Sequence, residues 1–199
     1  MTQLTLPGFE SPRPVIPEHH LFYAVMPDPD TAARIAGMKG WLRSEMNVKA
    51  RLLGTERFHI TLHSLGNFVR VPEVFVARAC AAAAAVRVPP FGVTLDQISS
   101  FKGQPGHRPL VLTGSTGTEA LADFQQELGK ALRAANLRIS SARFKAHLTL
   151  LYDEGRVEQR AIEPITWTVS ELVLIDSWLG KTHYDVKGRW PLKGRSPSV

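Results

Sequence analysis

The sequence predicts an α+β fold with antiparallel sheets, built as two related lobes. Strand-like and helix-like segments follow one another as β-α-β-α-β-β-α-β-β-β, so helices are interspersed among the strands. Several neighbouring strands are separated only by short turns, which favours antiparallel pairing over a doubly wound parallel sheet. A four-residue motif also recurs at nearly half the length of the 199-residue chain. This recurrence suggests two lobes that each contribute one copy to a shared cleft.

One domain accounts for most of the chain. Residues 1–18 contain four prolines and little apolar periodicity, so we expect a disordered or extended N-terminal arm. The folded domain spans residues 19–193 and is followed by a C-terminal tail over residues 194–199. A chain of 199 residues is long enough for one full core, or for two small lobes that share one.

The N-terminal elements of the domain are a strand and a helix. The apolar, aromatic strand LFYAVMP ends at Pro27. Asp28 or Asp30 then caps a helix through TAARIAGMKGWLRSEM, although Gly37 and Gly40 weaken this prediction because glycine is a poor helix former.

The middle of the chain contains three strands and the clearest helix. A strand over residues 57–66 is followed by VPEVFVARACAAAAAV, a helix with Pro72 near its first turn and a long alanine run. Two further strands, over residues 91–101 and 108–114, are joined by the turn-rich KGQPGH.

The C-terminal part begins with a second strong helix. It runs from about Thr118 to Asn136, where apolar residues fall on one stripe. A strand over residues 146–152 follows, and a closing pair of strands turns around Gly180–Lys181.

The recurring motif is a His-apolar-Thr-apolar tetrad. It occurs once after Phe58 and once after Ala146, in both cases within a predicted strand. Alternate side chains of a strand share a face. One strand therefore presents His59 and Thr61 on the face opposite its aliphatic pair, and the other presents His147 and Thr149 in the same way.

Two histidines and two threonines around one small volume suit phosphoryl chemistry. In-line displacement at phosphorus needs a base for the nucleophile and an acid for the leaving oxygen, and an imidazole with a pKa of about 6.5 can serve as either. Threonine hydroxyls can donate hydrogen bonds to the non-bridging phosphate oxygens. This chemistry needs no metal ion.

A zinc site is the weaker interpretation of the same histidines. His59 and His63 are in phase on one strand face, and Asp96, Asp153 or Asp176 could supply carboxylates. The sequence offers no compact third ligand, so we expect no metal. A single tetrad would more simply be a chance occurrence in a strand, but two copies at half-chain separation favour a catalytic pair.

The paired tetrads resemble the signature of the 2H phosphoesterase superfamily, and the wider frame is similar to its bacterial and archaeal 2'-5' RNA ligase (RNA 2',3'-cyclic phosphodiesterase) family. The resemblance covers about residues 19–193 and is carried by HHLFYAVMPD, RFHITLHSLGNF, RFKAHLTLLYD and LVLIDSWLGKTHYDVKGRWPL. It implies a bilobal fold, with an antiparallel sheet flanked by helices in each lobe and the active-site cleft between them. The implied activity is metal-independent hydrolysis of 2',3'-cyclic phosphates to 2'-phosphomonoesters, with reversible 2'-5' RNA ligation in some members and no cofactor.

The resemblance also implies a role for each tetrad residue. His59 would be the acid at the leaving 3'-oxygen and His147 the base for water. Thr61 and Thr149 would hold the phosphate. The implied partners are RNA ends or small nucleotides that carry a 2',3'-cyclic or 2'-linked phosphate.

This chain departs from the family after the second tetrad. Members often have an arginine two positions beyond the final apolar residue, whereas this chain has Tyr152 there. Lys145, Arg143 or another basic residue would then compensate. Strand alternation places Lys145 on the face of His147, so we expect it to bind substrate.

Five other side chains are candidates for parts of the cleft. His63 shares the predicted face of His59 and Thr61 and would line the cleft mouth. The candidates to stack on a nucleobase are Phe22, Tyr23, Trp178 and Tyr184.

Composition fits a cytoplasmic location, and we separately expect a monomer. The net charge of +6 favours anionic partners, and the single cysteine, Cys80, cannot form an internal disulfide. No apolar run approaches the length of about 20 residues that a membrane-spanning helix needs, and the N-terminus lacks the features of a secretory signal.

Two other classes of function remain open from the sequence. The first is an RNA- or nucleotide-binding protein of the same fold without catalysis, although both tetrads are intact. The second is a metal-dependent hydrolase. Activity that survives a chelator separates the proposed enzyme from the metal-dependent one. Lost turnover with retained binding in His59→Ala separates it from the binding protein.

Overall fold

A computed structural model describes residues 16–104 and 106–194. Most of the predicted N-terminal arm (1–18) and of the C-terminal tail (194–199) therefore lies outside the described residues. The described strands are β1 His19–Val25, β2 Ile60–Phe68, β3 Phe91–Ser100, β4 Arg108–Thr113, β5 Leu148–Asp153, β6 Arg160–Val169, β7 Glu171–Trp178 and β8 His183–Pro191. The described helices are α1 Pro29–Gly37, α2 Lys39–Met46, α3 Glu73–Ala85 and α4 Glu119–Ala134.

The eight described strands form one sheet in the order β6-β3-β4-β5-β2-β1-β7-β8, and each neighbouring pair is antiparallel. The α+β class and the antiparallel pairing are thus confirmed. The sheet has two halves of four strands, β6-β3-β4-β5 and β2-β1-β7-β8. They meet where β2 and β5 pair at Ile60 and Leu148. Because the sheet continues without a gap across the β2–β5 pair, the division into two lobes stays a prediction.

The first predicted helix is interrupted. Asp28 caps α1, since its carboxylate accepts from the Thr31 amide at 2.9 Å and from the Thr31 hydroxyl at 2.8 Å. The helix then breaks at Met38 and restarts as α2. The break lies between Gly37 and Gly40, the two glycines that weakened the prediction. The prediction of one continuous helix was therefore wrong.

The sequence prediction missed β6. The buried residues of this strand, Ile165, Trp167 and Val169, alternate with exposed ones as a half-buried strand requires. Pro164 interrupts the run, and proline within a run argues against a central strand. The strand lies at the edge of the sheet, where a missing backbone donor is tolerated.

The core lies between the sheet and the helices. Aliphatic residues of the central strands are fully buried, among them Ile60, Leu112, Leu148 and Leu174. They pack with Leu121, Phe124 and Leu128 of α4 in one cluster. In the described ranges, no helix combines the length and apolar character needed to cross a membrane.

Candidate active site

The two tetrads meet at the centre of the sheet. Ile60 of β2 is the antiparallel partner of Leu148 of β5, and both side chains are buried in the core. In an antiparallel pair, the residue before one partner lies across from the residue after the other, and residues that lie opposite share a face. His59 therefore lies across from Thr149, and the second tetrad's histidine lies across from the first tetrad's threonine.

All four tetrad side chains line one cleft of about 580 Å³ on the face of the sheet opposite those buried aliphatics. Two more histidines, an arginine and four aromatic residues complete much of its wall: His20, His107, Arg57, Phe22, Tyr152, Trp178 and Tyr184. A cleft with both imidazoles and hydroxyls on its floor can present acid, base and hydrogen-bond donors to one bound group.

Each catalytic candidate is oriented by the same local contact. The His59 Nδ1–H donates to the backbone carbonyl of Arg57 at 2.6 Å, and the His147 Nδ1–H donates to that of Lys145 at 2.7 Å. The acceptor lies two residues before the histidine in both tetrads. A hydrogen bond at Nδ1 selects the tautomer, which leaves Nε2 of each ring as the atom that takes up or gives a proton.

The environment of His59 favours its neutral form. Burial lowers the pKa of His59 to about 4, and the hydrogen bond to the Arg57 carbonyl opposes this shift. Repulsion from the charges of His147, Arg57 and His20 lowers the pKa of His59 further. At neutral pH, the Nε2 atom of His59 therefore carries a lone pair and can accept a proton.

Lys145 lies beside the cleft. Its ammonium is 4.3 Å from the centroid of the Phe101 ring, and that ring packs against His147 with a centroid distance of 5.1 Å. Lys145 is not among the residues that line the cleft. Its role in substrate binding stays a prediction.

His63 lies in the core, so its predicted place at the cleft mouth was wrong. A bulge in β2 between Thr61 and His63 inserts one residue relative to β1, and a bulge reverses the face of the residues that follow it. The buried His63 ring donates from Nε2 to the carbonyl of Gln125 in α4 at 2.8 Å. Gly129 leaves room for it, since a Cβ there would stand 3.0 Å from Nε2.

The aromatic candidates divide in a similar way. Phe22, Trp178 and Tyr184 line the cleft, and the Phe22 ring packs against His59 at 5.0 Å between centroids. The prediction that Tyr23 could stack on a nucleobase was wrong, because its side chain is fully buried. Its hydroxyl donates to the Ala79 carbonyl at 2.6 Å.

Tyr152, at the position where the family often has arginine, forms part of the cleft wall. Its ring stacks on that of His107, with centroids 4.3 Å apart and planes within 3°. This side of the cleft is therefore aromatic.

The candidate zinc ligands do not converge. Asp96 accepts from the amide of Ser115 at 2.7 Å, and Asp176 contacts His19 and Lys187. Across the described ranges, no three His, Cys, Asp or Glu side chains are grouped closely enough to hold a metal ion.

The sequence interpretation missed Arg57. A recognisable signal was present, because Arg57 precedes His59 by two positions, just as Lys145 precedes His147. Only the arginine of this basic pair lines the cleft. His20 and His107, which also line it, had no comparable signal, since strand and loop histidines are common on surfaces.

Comparisons with known proteins identify related sequences and folds. The family model described as 2'-5' RNA ligase superfamily matches residues 27–179. Among solved structures, LigT of E. coli in apo form has 22% identity and a TM-score of 0.67, and the match covers 89% of this chain and 99% of LigT. TT0787 of Thermus thermophilus has 22% identity and a TM-score of 0.66, and the match covers 89% of this chain and 100% of TT0787. No curated protein matches the chain.

Proposed function

Because the chain belongs to the 2'-5' RNA ligase superfamily, we propose that it is a metal-independent RNA or nucleotide 2',3'-cyclic phosphodiesterase. Its products would be 2'-phosphomonoester ends, and the same displacement with a 5'-hydroxyl in place of water would give it 2'-5' RNA ligase activity. The observation that carries the proposal is the pair of tetrads whose histidines and threonines line one cleft. The solved complexes of LigT with 3'-AMP, ATP, NADP+ and phosphate support a nucleotide or RNA end as the ligand.

The proposed reaction is a single in-line displacement. One histidine takes a proton from water as its oxygen bonds to phosphorus, and the other gives a proton to the 3'-oxygen as the P–O3' bond breaks. The phosphate stays on the 2'-oxygen. In ligation, a 5'-hydroxyl of a second RNA end takes the place of water, and the product is a 2'-5' phosphodiester.

The electrostatics of the cleft indicate which histidine is the general base and which is the general acid. The family resemblance implies that His59 is the acid, but a group with a pKa of about 4 is almost fully deprotonated at neutral pH. We therefore propose the opposite assignment, with His59 as the base for water and His147 as the acid at the 3'-oxygen. Both act through Nε2, since each Nδ1–H is held by a carbonyl.

This assignment predicts the pH dependence of kcat/KM, which reports groups of the free enzyme. His59 must be neutral to act as the base, so lowering the pH should leave kcat/KM intact through pH 6 and reduce it only near the His59 pKa of about 4. A kcat/KM profile between pH 3.5 and 9 tests this, together with an NMR titration of the His59 ring. If kcat/KM instead falls as the pH rises through 4 to 5, His59 acts as the acid.

The activity itself is tested by a product assay. With nucleoside 2',3'-cyclic phosphates in excess chelator, we expect turnover to the 2'-phosphate, resolved from the 3'-phosphate by chromatography. Turnover that needs added metal would favour a metal-dependent hydrolase. Tight nucleotide binding without turnover would favour a non-catalytic binding protein, and 3'-phosphate as the product would contradict the proposed bond cleavage.

A further inference from the structure

Arg57 places an arginine side chain in the cleft next to His59. It is the last residue of a short 3-10 turn, Thr55–Arg57, which ends two residues before His59. The guanidinium carbon lies 4.8 Å from the centroid of the Tyr184 ring, and Nη2 donates to the Tyr184 hydroxyl at a long 3.5 Å. Tyr184 in turn packs edge-on against His59, with centroids 5.8 Å apart. These contacts hold the cation close to the proposed catalytic centre.

The guanidinium has unused hydrogen-bonding capacity. Arginine has five N–H donors, and the buried Nε–H of Arg57 has no hydrogen-bond partner. Within residues 16–104 and 106–194, no carboxylate lies within 4.0 Å of Arg57. A half-buried cation that lacks both a counter-ion and a full set of acceptors has the charge and the donors to bind an anion.

The positive charge of Arg57 acts on groups near the cleft. It lowers the pKa of His59, adding to the larger effect of burial. Burial and the neighbouring Tyr184 raise the pKa of Tyr152, and the charge of Arg57 opposes that shift. Arg57 thus interacts electrostatically with the first histidine and with the aromatic wall of the cleft.

We propose that Arg57 binds the phosphate of the substrate, donating hydrogen bonds to its non-bridging oxygens while the histidines act on the attacking and leaving oxygens. This role rests on the proposed function. The planar fork of a guanidinium matches two oxygens of a phosphate, a match that an ammonium cannot make. Tyr184 positions the guanidinium through its ring and its hydroxyl.

The first test measures phosphate binding directly. Calorimetric titration with inorganic phosphate should give a Kd roughly ten- to a hundredfold weaker for Arg57→Met, which keeps an unbranched apolar side chain but loses the charge and the donors. Arg57→Lys keeps the charge and loses the fork, so its Kd should lie between those of the wild type and Arg57→Met. Arg43→Met, on the exposed surface of α2, removes the same charge away from the cleft and should bind phosphate as the wild type does.

A second comparison separates Arg57 from Lys145, which occupies the equivalent position of the second tetrad. Lys145→Met should weaken phosphate binding less than Arg57→Met, because the Lys145 ammonium lies over Phe101 and not in the cleft wall. The same ranking is expected for kcat/KM on a nucleoside 2',3'-cyclic phosphate. Phosphate titration needs no turnover, so the proposal for Arg57 and the proposed activity can succeed or fail independently.

Three results would overturn the proposal. One is a folded Arg57→Met protein that binds phosphate with wild-type affinity. Another is an Arg57→Lys protein that binds phosphate as tightly as the wild type, because the planar fork then contributes nothing to binding. The third is a larger loss in Lys145→Met than in Arg57→Met. If Arg57→Met does not fold, as judged by its thermal transition, Arg57→Lys decides: a Kd weaker by about five- to tenfold supports the forked contact, and an unchanged Kd overturns it.

Discussion

Replacing His147 or His59 by alanine is expected to lower kcat on a nucleoside 2',3'-cyclic phosphate by about 10²–10⁴, the range for loss of a general acid or base. The expectation rests on two rings that line the same cleft and are oriented alike, each with Nδ1–H on a carbonyl and Nε2 free for proton transfer. Nucleotide binding should persist in both variants. Steady-state kinetics and calorimetry together separate the two effects.

A substrate with sulfur in place of the 3'-oxygen distinguishes the two roles. A thiolate leaves without protonation, so the variant that lacks the acid should recover most of its activity on this substrate, and the variant that lacks the base should not. With His59 as the base, we expect recovery only in His147→Ala. Recovery in His59→Ala would reverse the assignment.

The control for these variants is His183→Ala. His183 is an exposed histidine that does not line the cleft, so its replacement should leave kcat within about twofold of the wild type, as is usual for a surface change. If both cleft variants behave like this control while remaining folded, two-histidine catalysis is wrong and the cleft serves binding alone.

The sequence was most informative where one residue's position depended only on its immediate neighbours. Strand alternation predicted that His59 and Thr61, and likewise His147 and Thr149, would share a face, and all four side chains line the cleft. The predicted strands nevertheless began too early. The ladders begin at Ile60 and Leu148, so each histidine lies just before its strand, where its ring can reach a carbonyl two residues back.

Alternation failed where the pairing partner decides the conformation. The bulge after Thr61 arises from the pairing between β2 and β1, and no residue type in HITLHS predicts it. His63 consequently lies against α4, where Gly129 makes room for it. The strand β6 was not predicted, and its Pro164 is tolerated only because the strand lies at an edge of the sheet, which is known only once the sheet order is known.

Removing the hydroxyl from either tetrad threonine should lower kcat/KM by roughly ten- to a hundredfold. Neither hydroxyl is hydrogen-bonded to another described residue, although both side chains line the cleft, so both are available to a bound phosphate. Thr61→Val and Thr149→Val keep the shape of the side chain but leave a phosphate oxygen without its donor. A hydrogen bond to a charged group contributes about 1.5–3 kcal/mol, which corresponds to that loss.

The size of the loss should be similar at the two positions, because the register across Ile60 and Leu148 gives each threonine the same relation to the opposite histidine. Thr61→Ser and Thr149→Ser keep the hydroxyl donor and should retain most activity. Thr168→Val, an exposed threonine of β6, serves as the matched control and should leave kcat/KM unchanged. Wild-type kcat/KM in both cleft Val variants would mean that the threonines only support the sheet, and that the phosphate is held by other donors such as the guanidinium of Arg57.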